Sequence, residues 1–74
     1  MNENSRILLA ILHKEMAEKR LEFDVGLALR TRVYAIDHPP TIEELEAVVR
    51  QFLPHGSGDR IIEQLGMYAG SKTA

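Results

Sequence analysis

The chain has 74 residues and no cysteine, which excludes disulfides, thiolate metal sites and cysteine catalysis. Nine Lys and Arg against eleven Asp and Glu give a formal charge of −2, which speaks against a general nucleic-acid binder. A hydrophobic share of 45% suits a folded chain, and no apolar run approaches the roughly 20 residues of a membrane span.

The first residues, "MNENSR", lack the pattern of a signal peptide, and Met1 reads as the natural start of a complete small gene product. The expected location is the cytoplasm. Asn4 or Ser5 is expected to cap the first helix. Ile7, Leu8, Ile11, Leu12 and Met16 then recur at helical spacing. Lys14, Glu15, Glu18 and Lys19 are placed on the opposite, solvent side, with Glu15 and Lys19 as an i, i+4 pair.

The next stretch, "LEFDVGLALRTRVYAID", fits two templates. As a strand it alternates, as in a hairpin over 21–36. As a helix it carries two stripes: Leu21, Val25, Leu29, Val33 and Ile36 on one side, and Phe23, Leu27 and Tyr34 on another. No further strand candidate exists to complete a sheet, so helix is the consistent choice. The N-terminal helical region therefore spans about 4–36, bent or broken near 22–26, where Gly26 weakens it.

The prolines of "DHPPT" end that region. His38 there reads as part of a rigid, exposed connector. The "TIEE" sequence at Thr41–Glu44 is a capping box that opens a helix over about 41–53. Its core face comprises Ile42, Leu45, Val48, Val49, Phe52 and Leu53, and Pro54 stops it. A last helix over about 59–69 is expected to be capped by Ser57 or Asp59. Ile61, Ile62 and Leu65 face inward, Gly66 or Gly70 ends it, and 71–74 form a frayed tail. The expectation is one small all-α domain over 1–74: a long N-terminal helical region and two shorter helices.

Three groups of residues could carry function. Phe23, Leu27, Arg30, Arg32 and Tyr34 are of types that dominate protein interfaces, and Arg30 can lie on the Tyr34 ring one turn away. His55, Ser57 and Arg60 flank a glycine-bearing turn ahead of a helix, where backbone amides can receive an anion. That second group competes with a plain interhelical turn, and the Walker lysine and spacing are absent. Thirdly, the last two helices have the outline of a helix–turn–helix, but few basic or amide side chains for reading bases.

No pair of histidines has metal-ligand spacing, no nucleophile–base–orienter set is present, and a chain this short leaves little room for a water-excluding pocket. The chain is thus expected to be non-catalytic, with no metal and no cofactor. A domain this small gains burial by self-association. The expected function is a homo-oligomeric, dimeric, protein-binding module that regulates or inhibits a partner by occupying its surface. The alternatives are sequestration of a small anionic ligand such as a nucleotide between subunits, and then weak DNA binding. The sequence matches no family motif. It is similar only in size and style to small accessory proteins of bacteria and their phages.

Overall fold

A computed structural model of the protein describes residues 2–73, with side chains described for 2–70. Four helices follow in order: α1 (Glu3–Ala17), α2 (Phe23–Tyr34), α3 (Ile42–Phe52) and α4 (Ser57–Thr73). No strand occurs among the described residues, so 21–36 holds a helix, over 23–34, and not a hairpin. Helices α1 and α3 each pack on α2 and α4, and they also touch each other; among the described residues α2 and α4 do not meet. One core receives Leu8, Ile11 and Leu12 from α1, Leu29 and Val33 from α2, and Leu45, Val48 and Val49 from α3. Ile61 and Leu65 from α4 and Leu21 from the first turn complete it. No helix among the described residues is long and apolar enough to cross a membrane.

The N-terminal region is two helices, and the break lies at residues 18–22, ahead of the expected 22–26. Its cause is a cap that composition hides. The Lys19 amide donates to the Met16 carbonyl at 3.1 Å and the Arg20 amide to the Glu15 carbonyl at 2.9 Å. These are the paired bonds of a Schellman motif, which needs a left-handed residue and usually takes glycine. Here that residue is Lys19, at φ 65°. A left-handed non-glycine residue costs about 1–2 kcal/mol, partly offset because glycine loses more freedom on folding. Lys19→Gly is therefore expected to raise stability by about 0.5–1 kcal/mol. Urea unfolding checks this: the midpoint should rise with an unchanged slope.

Gly26 does not break α2. It is buried against Met16 of α1, and a Cβ there would collide with the Met16 side chain. The glycine lets two helices joined by a short turn lie close together.

The helix starts also differ from expectation. Asn2 caps α1, its side-chain oxygen accepting from the Asn4 amide at 2.8 Å. The Asn4 side chain instead donates to the Pro40 carbonyl at 3.0 Å, tying the α2–α3 connector to the head of α1. The Thr41 capping box forms as expected, with both reciprocal bonds present. Neither Ser57 nor Asp59 is a cap, since Ser57 is already helical. Helix α4 passes Gly66 and Gly70 without ending, so 71–73 continue the helix, and Ala74 lies outside the described residues.

Candidate functional site

Helix α2 decides what the surface offers. At 100° per residue, Gly26, Leu29 and Val33 share the face turned to the core. Phe23, Leu27, Arg30 and Tyr34 sit at i, i+4, i+7 and i+11, which is a second face. Phe23 is 65% exposed and Tyr34 54%, and Leu27 is half-buried. The Arg30 guanidinium lies 5.4 Å from the centre of the Tyr34 ring, as the one-turn spacing suggests. Arg32 does not join this face. It falls on the opposite flank, where it lines a cleft toward α3 with Ile36, Glu44 and Val48.

The exposed face of α2 continues onto α1. Leu9, His13 and Met16 line a groove of about 400 Å³ together with Arg30 and Tyr34. Leu9 and Met16 are half-buried. The sequence reading took Met16 for core and assigned Leu9 to neither face. The signal was present, because both lie at the edge of the apolar stripe, seven residues apart.

The 55–60 turn does not assemble as an anion cradle. The amides of Gly58, Asp59 and Arg60 donate to the carbonyls of His55 and Gly56 within the turn itself. The Ser57 hydroxyl donates to the Arg20 carbonyl at 3.0 Å. Asp59 pairs with Arg50. His55 is exposed. Arg60 turns inward and donates from Nε to Glu15 Oε1 at 2.9 Å. Arg60 therefore does not converge with Arg30 and Arg32: among the described residues α4 and α2 do not touch, and the Arg60 guanidinium is held on α1.

Its partner, Glu15, is the largest departure from the sequence reading. Expected in solvent and paired with Lys19, it is buried, only 1% exposed. Arg20 holds it with two bonds, Nε to Oε1 at 3.2 Å and an outer nitrogen to Oε2 at 3.0 Å. Arg20 also pairs with Glu18. Hydrogen bonding to Arg20 holds the Glu15 carboxyl below its usual range, against the opposing effect of burial, and the Arg60 charge adds to it. Three pieces of chain are stitched at this point: α1, the first turn and α4.

On the α2–α3 connector, His38 lies 2.9 Å from Glu44 and 3.3 Å from Asp37. Glu44, and Asp37 after it, raise the His38 pKa above the usual 6.5. A raised histidine contributes stability that is complete below the usual value and lost as pH climbs through the folded one. Proton NMR of the folded protein should show His38 titrating above 6.5. In Glu44→Gln, which keeps the capping acceptor, the midpoint should move back toward 6.5. An unchanged midpoint would remove Glu44 as the cause.

Among the described residues, no group of three or more His, Asp or Glu side chains could hold a metal ion. No protein-family model matches the chain, and comparison with curated proteins and with solved structures gave no match either.

Proposed function

We propose that this chain is a non-catalytic protein-binding module that regulates or inhibits a partner by occupying its surface through α2. One observation carries the proposal. Phe23, Leu27 and Tyr34 run along one face of a helix whose other face already fills the core. Large exposed aromatic side chains in a row, beside an arginine, are the residue types that anchor interfaces. They contribute little to the fold. Phe23→Ser should leave the unfolding free energy within about 0.5 kcal/mol of the parent.

The test is site-specific photo-crosslinking in the host cell, with a benzoylphenylalanine at position 23 or 34. The expected result is one dominant crosslinked protein, absent when the photo-reactive residue replaces exposed Glu63 on α4. Crosslinking that is equal at 23, 34 and 63, or absent from all three, sinks the proposal.

Self-association is a separate part of the proposal. It rests on the small core and on Met67, 64% exposed on α4, away from the α2 face. Sedimentation at micromolar concentration should give a dimer, and a clean monomer removes this part alone.

A further inference from the structure

We infer that the groove between α1 and α2 receives an amphipathic helix of the partner protein whose apolar stripe is flanked by carboxylates. This rests on the protein-binding function proposed above and names the chemistry of the partner.

The groove has a helical shape and length. Its walls are two neighbouring helices joined by a five-residue turn, 18–22. Leu9 and Met16 stand seven positions apart on α1, or about 10 Å at 1.5 Å per residue, and Arg30 and Tyr34 line the groove from α2, whose face Phe23 and Leu27 continue beyond it. That length matches two turns of a third helix resting on both walls. Such a helix would place anchors at i, i+3 or i+4, and i+7 against Leu9, Met16 and Tyr34. A partner strand has no edge to extend among the described residues.

Charge selects the flanks of that helix. The ionisable side chains of basic type lining the groove are Arg30 and His13, and no carboxylate lines it. The chain as a whole is acidic, at −2, so this face runs against the average. The Arg30 guanidinium carbon lies 5.4 Å from the centre of the Tyr34 ring, which holds this charge at the groove. A guanidinium beside an aromatic ring can still offer its N–H donors to a carboxylate fork. A second copy is the wrong occupant here. Docked about a two-fold axis through the same surface, it would set one basic-lined groove against another.

The test extends the crosslinking experiment. The peptide captured from position 23 is mapped by mass spectrometry, and capture is repeated with Arg30→Gln and Arg30→Glu, both at an exposed site. The expected peptide is an acidic amphipathic helical segment. Capture should fall in Arg30→Gln, fall by about tenfold or more in Arg30→Glu, and return when a flanking carboxylate of the partner is changed to arginine. Circular dichroism of each variant checks that it is folded. Capture of a second copy, of a basic or non-helical segment, or yields indifferent to Arg30 would overturn the inference and leave protein binding standing. No specific capture at all would take both.

Discussion

Replacing Arg20 and Arg60 together with alanine is expected to destabilise the protein by about 3–5 kcal/mol at pH 7 and to reverse the sign of its response to acid. The loss falls on Glu15. That carboxylate is 1% exposed beneath the two guanidinium groups, and removing both takes away its countercharges and leaves Gln64 as its remaining partner. For a chain of this size, whose whole stability is about 4–11 kcal/mol at the usual share per residue, such a loss is large. Either single variant leaves one arginine in place and should lose much less than half of the double effect, so the two changes are coupled.

The pH dependence separates this account from simple loss of packing. In the parent, the folded pKa of Glu15 lies below its ordinary value of 4.5. A depressed carboxyl contributes stability that is complete above the ordinary value and lost as pH falls through the folded one. In the double variant burial, which pushes the carboxyl up, outweighs the hydrogen bond from Gln64 that still lowers it. The folded state then binds the proton more readily than the unfolded state. Stability should rise, relative to the parent, as pH falls from 7 toward 5. Urea unfolding at several pH values gives both curves, and their difference cancels the contributions of His38 and Glu44. A difference that is flat over that range would mean that Glu15 is not held buried. Glu15→Gln should be far milder than the double variant, because it leaves two partly exposed arginines that water can reach.

Gly58→Ala carries the second large effect. Gly58 is buried where the 53–58 turn closes on itself, and a Cβ there would run into the backbone carbonyl of Leu53. A flexible side chain could move aside, but a carbonyl anchored between Phe52 and Pro54 moves only with the backbone. Overpacking of this kind costs about 1–3 kcal/mol, and the upper half is expected here. The shift would also pull Ser57 from the Arg20 carbonyl and Arg60 from Glu15. Gly66→Ala is the control, since nothing lies within 4 Å of a Cβ at that mid-helical site. It should stabilise the protein by up to about 1 kcal/mol. Thermal unfolding of the two variants should move in opposite directions, and a Gly58→Ala as stable as the parent would mean the turn is looser than described.

The helix starting at Thr41 was legible because its signal is local. A hydroxyl and a carboxylate three residues apart satisfy each other's amides whatever the rest of the chain does. The two stripes of α2 were legible from spacing alone, and with them the exposed face of Phe23, Leu27 and Tyr34. The site was read less well. Arg32 was grouped with Arg30 by proximity in sequence, yet two residues is about 200° around a helix. Arg60 was offered to an anion because nothing nearby in sequence claimed it.

The sequence by itself determined the all-α class, the stop ahead of the prolines, the capping box and the apolar faces that turn to the core, of whose residues Ile7, Met16, Ile42, Phe52, Leu53 and Ile62 reach only its edge. These follow from backbone preferences and periodicity, which act within a few residues. Tertiary structure decided where the first helix breaks and what becomes of Glu15. A left-handed cap at Lys19 carries no compositional mark, because the strain of a non-glycine residue there is offset by bonds and packing formed elsewhere. Glu15 stands seven residues after Leu8 and three after Leu12, squarely on the core stripe, and its residue type argued for solvent. Only the folded chain brings it guanidinium groups from 5 and 45 residues away. A carboxylate is buried when its countercharge arrives with it, and that arrival is a property of the fold.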